Sequence, residues 1–131
     1  MPHSAENKNS KVYVDDHGIF TIEWKANVLL ETEDFKTVVE QYDEWSNGKQ
    51  WRVLHIFPKG TKATSEARNF AAKREKPAGA EAFVIASVLH RNLFRLYRRL
   101  RTVQYPMREF SEFEKAKNWL LELEIIAEEE N

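Results

Sequence analysis

With 131 residues, 42% of them hydrophobic and 12% aromatic, the chain has the length and apolar content of one domain with a single core. It contains no cysteine, which excludes a disulfide scaffold, a thiol nucleophile and any Cys-ligated metal or iron–sulfur site, and fits a reduced, cytoplasmic setting. The net charge of −1 conceals a partition. Residues 49–101 hold thirteen basic against three acidic side chains, net +10, and leave −11 for the remainder; such asymmetry suits an anionic partner or two surfaces that pair with each other.

Residues 1–10 are polar, lack the apolar core of a signal peptide and are expected to be a disordered tail. A single domain is expected over residues 11–124, followed by an acidic tail over 125–131. No stretch approaches the roughly 20 apolar residues of a membrane span. Val12–Val14 and Ile19–Trp24 read as two strands joined by the turn Asp15-Asp16-His17-Gly18. Thr32 is an N-cap type, with Glu33 and Asp34 in the first turn, and Phe35, Val38, Val39 and Tyr42 recur at helical spacing until Asn47-Gly48 ends the helix. Trp51–Phe57 predicts a strand, broken by Pro58 and Gly60.

Thr64 or Ser65 then caps a helix running to about Glu75. The almost wholly apolar run from Ala80 to Ser87 reads as a strand covered on both faces. His90–Arg101 is helical, with Leu89, Leu93, Leu96 and Leu100 on one stripe and a solvent-facing arginine side. A short strand, Met107–Phe110, follows Pro106, and Ser111 caps the last helix, with Phe113, Ala116, Leu120 and Leu123 facing inward. The order β-β-α-β-α-β-α-β-α predicts an α/β fold. Its sheet is mixed, mainly parallel and of about five strands, with helices on its faces and the opening hairpin at an edge.

Two local runs carry a family resemblance. The helix start Thr64-Ser65-Glu66-Ala67-Arg68, and the later Pro106-Met107-Arg108-Glu109-Phe110-Ser111 followed by Ala116 and Trp119-Leu120, resemble the STAS-like (SpoIIAA-like) superfamily, in particular stand-alone bacterial members. The match extends from Val12 to Leu123. It implies the fold and a non-catalytic binding or regulatory role toward a protein partner. In the phospho-regulated antagonists of that superfamily, Asp-Ser stands where this chain has Ala63-Thr64; Thr64 keeps the hydroxyl, but the acid is gone.

Several candidate sites follow. Thr64 and Ser65 sit at a helix start beside Lys62 and Arg68, where a phosphate or other anion would find N–H groups and positive charge. The plain alternative is an N-cap. Arg91, Arg95, Arg98 and Arg99, interleaved with Phe94 and Tyr97, form a possible surface for an anionic partner. Internal pairing with the acids Glu109, Glu112 and Glu114 is the alternative, and nucleic acid is the least favoured partner. The aromatic residues serve mainly as core, with a pocket for a small apolar or anionic, lipid-like ligand between the sheet and helix 90–101 as the alternative function. Self-association as a homodimer through opposite charges is a further expectation. The four histidines, His3, His17, His55 and His90, lack metal-ligand spacing, no cofactor motif occurs, and no catalytic arrangement is visible.

Overall fold

Residues 3–10, part of the expected tail, are held against the domain by polar contacts and a ring stack. The computed structural model describes residues 3–73, 78–100 and 105–123, without the side chains of Tyr97 and Leu100. In it Ser4–Glu6 form strand β1, antiparallel to β2 (Ser10–Val14). Asn7 closes the turn between them, its N–H meeting the Ser10 carbonyl at 2.8 Å, and it exchanges two 3.0 Å amide hydrogen bonds with Gln41. The His3 ring stacks on Trp45 at 5.0 Å. None of this leaves an apolar periodicity, which is why the segment reads as a tail. The expected tail at 125–131 lies outside the described residues.

Asp15 shapes the next turn. Its Oδ1 accepts the N–H groups of His17 and Ile19 at 2.8 and 2.9 Å, and Gly18 supplies a φ of 79° that other residues rarely adopt. β2 thereby pairs antiparallel with β3 (Phe20–Trp24). A two-residue strand, β4 (Leu29–Leu30), leads to α1 (Thr32–Ser46). The cap of α1 is Glu31 rather than Thr32, because Asp34 Oδ2 reaches back to the Glu31 N–H at 2.8 Å in the manner of a capping box. Asn47, in the left-handed region, ends the helix.

The remaining elements alternate. They are β5 (Arg52–Phe57), the short β6 (Lys62–Ala63), α2 (Ser65–Ala72), β7 (Ala80–Ile85), α3 (Val88–Leu100), β8 (Met107–Phe110) and α4 (Phe113–Glu122). Glu112, not Ser111, occupies the cap position of α4 with extended backbone. The main sheet has the order β1-β2-β3-β5-β7-β8, parallel from β3 to β8. It has six strands because β1 joins the edge. A separate parallel pair, β4 with β6, stands outside it.

Alternation along the strands divides the core. Phe20, Ile22, Trp24 and Val53 pack with Val38 and Tyr42 of α1 on one face. Leu54, Ala80, Ala82 and Val84 pack with Ala116 and Leu120 of α4 on the other. Arg52 fastens the end of α4, donating to the carbonyls of Leu120 and Leu123 at 2.7 Å each. β7 is buried at all six positions, as its apolar run predicts.

Candidate functional site

Parallel pairing brings an unusual set of side chains together on the face away from α4. His55 of β5 and Phe83 of β7 are register partners, and cross-strand neighbours stand about 4.8 Å apart. Their rings accordingly stack at 4.5 Å with an interplanar angle of 2°. Phe57 lies parallel to His55 within 11°, and Trp24 parallel to Phe57 within 15°. The result is a ladder of aligned rings across three strands.

A polar chain runs through this ladder. Trp24 Nε1 donates to His55 Nδ1 at 3.4 Å. An indole N–H can only donate, so Nδ1 is the acceptor and the imidazole proton resides on Nε2. That nitrogen donates to Glu81 Oε2 at 2.9 Å, and the Tyr105 hydroxyl donates to Glu81 Oε1 at 2.6 Å. Glu81 is only 5% exposed, and an ionised carboxylate there needs such donors. Both ring nitrogens of His55 are therefore engaged within the protein.

Above the ladder lies a cavity of about 910 Å³. Trp24, His55, Phe57 and Phe83 contribute from the sheet, Phe35 and Val38 from α1, Ala71 and Ala72 from α2, and Leu93 and Phe94 from α3. The wall is thus mainly apolar. Lys59, Lys62, Arg68 and His90 also line it, and Lys59, Lys62 and Arg68 are exposed. The cavity stands between the sheet and α3, where the sequence puts a ligand pocket, but it reaches α1 and α2 as well.

The sequence-predicted residues fall into two groups. Thr64 caps α2, its hydroxyl accepting the Ala67 N–H at 3.0 Å, and Ser65 is exposed at the first helical position. Arg68 donates to the Ala63 carbonyl at 2.8 Å, which sets it beside Lys62. Of this quartet, Lys62 and Arg68 reach the cavity and Thr64 and Ser65 do not.

The second group is inverted relative to expectation. The arginine side of α3 turns toward the protein. Arg91 donates to the carbonyls of Ile85 and Ala86 at 2.6 and 3.1 Å, and Arg98 to that of Met107 at 3.1 Å. Arg95 pairs with the buried carboxylate of Glu109 at 2.6 Å, and Phe94 packs on Phe83 at 4.4 Å between ring centroids. Arg99 alone of the four is exposed without such a bond among the described residues, and the Tyr97 side chain lies outside them. The leucine stripe faces outward instead, with Leu89, Leu93 and Leu96 at 64%, 55% and 54% exposure and Val88 beside them at 64%. Acceptors at the ends of β7 and β8 favour this orientation: the Glu109 carboxylate and the carbonyls of Ile85 and Met107 take donors from the arginines, and leucine has none to offer.

Glu81 and Tyr105 are functional candidates that the sequence does not disclose. A lone glutamate in an apolar strand was the available signal, but its partner emerges only once β5 and β7 are in register. Among the described residues no cluster of three or more His, Asp or Glu could hold a metal ion, and no helix is long and apolar enough to cross a membrane.

Comparison with known proteins places the architecture. A crystal structure of an uncharacterized DUF3478-family protein with a SpoIIAA-like fold, from Shewanella loihica PV-4, superimposes with a TM-score of 0.58 at 12% identity, over 92% of each chain. The fold is therefore SpoIIAA-like, as the two sequence runs imply. No curated protein matches the chain. Residues 12–124 match a family described as a domain of unknown function; the chain belongs to that family, DUF7793.

Proposed function

We propose that this SpoIIAA-like domain is a non-catalytic binding module, acting in the cytoplasm, that holds a small, mainly apolar molecule between its sheet and helices α1, α2 and α3. The observation that carries this reading is the cavity of about 910 Å³. Ligand pockets span roughly 300–1,000 Å³ and combine apolar walls with a few polar groups, and this cleft matches that description. The engagement of both His55 nitrogens supports binding over acid–base chemistry at this site. The cavity favours the ligand-carrying alternative over the partner-engaging role that the family resemblance implies.

The test uses a neutral fluorescent probe, N-phenyl-1-naphthylamine, with native mass spectrometry of the protein as purified. The wild type is expected to enhance probe fluorescence saturably, and Ala72→Trp, which fills the cavity from α2, to abolish the enhancement while keeping the circular dichroism spectrum. Absence of saturable binding by the wild type, together with a bare protein mass, would refute the proposal.

A second reading, engagement of a protein partner or a second copy, is favoured by one observation: the outward stripe of Val88, Leu89, Leu93 and Leu96. Contiguous exposed apolar surface often marks an interaction site. Sedimentation velocity over a concentration series, wild type against Leu89→Glu/Leu96→Glu, which lie outside the cavity lining, addresses it. A sedimentation coefficient that rises with concentration only in the wild type supports self-association.

A further inference from the structure

Resting on the reading of the cavity as a ligand site, we infer that its ligand is an amphipathic anion: an apolar body seated over the ring ladder, with a carboxylate or phosphate head group held by Lys59, Lys62, Arg68 and His90. These four come from different parts of the chain. Lys59 follows β5, Lys62 lies in β6, Arg68 in α2 and His90 in α3, yet all line one cavity. Among the described residues the only carboxylate lining it is Glu81, which lies in the floor and already accepts from His55 and Tyr105. Among the described lining residues the carboxyl group is thus already hydrogen-bonded in the floor, while Lys59, Lys62 and Arg68 bring positive charge at exposed positions.

The local bonding keeps those cations available. Among the described residues neither Lys59 nor Lys62 forms an ion pair, and the guanidinium of Arg68 donates to a neutral carbonyl, that of Ala63. This bond holds the guanidinium against β6, the strand that carries Lys62. β6 is itself tied to β4 across the Leu29–Lys62 pairing, with the Lys62 N–H on the Val28 carbonyl at 2.9 Å. Like charges that converge around a low-dielectric cleft focus their field into it and raise the local concentration of anions. A neutral apolar guest would leave this field unanswered. An anion with an apolar body meets both parts of the site.

Displacement of N-phenyl-1-naphthylamine by three matched ligands (1-dodecanol, dodecanoate and dodecyl phosphate) tests the inference. At least one of the two anions is expected to displace the probe with an affinity tenfold or more above the alcohol, and which anion does so identifies the head group as carboxylate or phosphate. Lys62→Glu/Arg68→Glu is expected to erase that preference, bringing both anions to or below the affinity of dodecanol for the same variant. Lys59→Glu/Lys62→Glu, which spares the Arg68–Ala63 bond, serves as the second variant should the first lose its fold. Equal displacement by all three ligands, or an anion preference that survives charge reversal, overturns the inference while leaving the cavity a ligand site. Failure of the probe itself to bind, together with a bare protein mass, overturns the cavity reading instead.

Discussion

Replacing Leu96 by alanine is expected to cost the fold less than about 1 kcal/mol. Complete burial of a leucine side chain is worth about 1.5–3 kcal/mol. Leu96 is 54% exposed, so less than half of that value is at stake, and the better helix propensity of alanine returns a few tenths. Leu54, with no exposure at all, is the control: Leu54→Ala should cost about 2–5 kcal/mol through lost burial and a residual cavity. Phe94 lies on the other side of α3 against Phe83, and Phe94→Ala should cost about 2 kcal/mol, part burial and part ring contact. Urea unfolding followed by far-UV circular dichroism ranks the three, provided the m-values agree. A loss above about 2 kcal/mol for Leu96→Ala, or one exceeding that of Phe94→Ala, would refute the inverted orientation of α3.

Other perturbations probe other parts of the fold. Thr64→Ala removes the hydroxyl that accepts the Ala67 N–H and should cost about 1 kcal/mol in urea unfolding, while Thr64→Ser should cost little. Tyr13 donates to Glu23 at 2.7 Å, and burial, followed by that carboxylate, raises its phenol above the ordinary value. The fold thus favours the neutral phenol, so its contribution is complete below about pH 10, the unfolded value, and declines above it. Unfolding at pH 9 and pH 11 should show a steeper alkaline loss for the wild type than for Tyr13→Phe; equal slopes would contradict this. Gly60 has a φ of +85°, and a Cβ there would overlap the Asn27 side chain. Gly60→Ala should therefore lower stability by at least about 1 kcal/mol and, by disturbing the approach to β6, weaken ligand binding at Lys62.

Elements whose signal is local were legible. The Asp15–Gly18 turn, the stop at Asn47, the Thr64 cap and the apolar β7 run each declare themselves within a few residues. Features that depend on what lies opposite were not. β1 is held by amide pairs and a ring stack that no periodicity reports. Helix α3 has a well-formed amphipathic pattern, but pattern alone does not tell which side faces the sheet. The answer resides in Glu109 and the carbonyls of Ile85 and Met107, which take their donors from the arginines. The cavity was anticipated from the aromatic content and the place of helix 90–101, whereas the His55–Glu81–Tyr105 chain requires the register of two parallel strands.

The fastening of α3 constrains how relatives of this protein can diverge. Arg91 and Arg98 grip main-chain carbonyls, and a carbonyl is present whatever residue occupies positions 85, 86 and 107. The attachment therefore tolerates drift in β7 and β8 as long as the two arginines remain. The outer positions Val88, Leu89 and Leu96, which lie outside the cavity lining, contribute little to folding, so random change would carry them toward polar residues at little cost. Homologues that nevertheless keep them apolar would be under selection from outside the folded chain, and those three columns of an alignment become a direct record of whether α3 has an occupant.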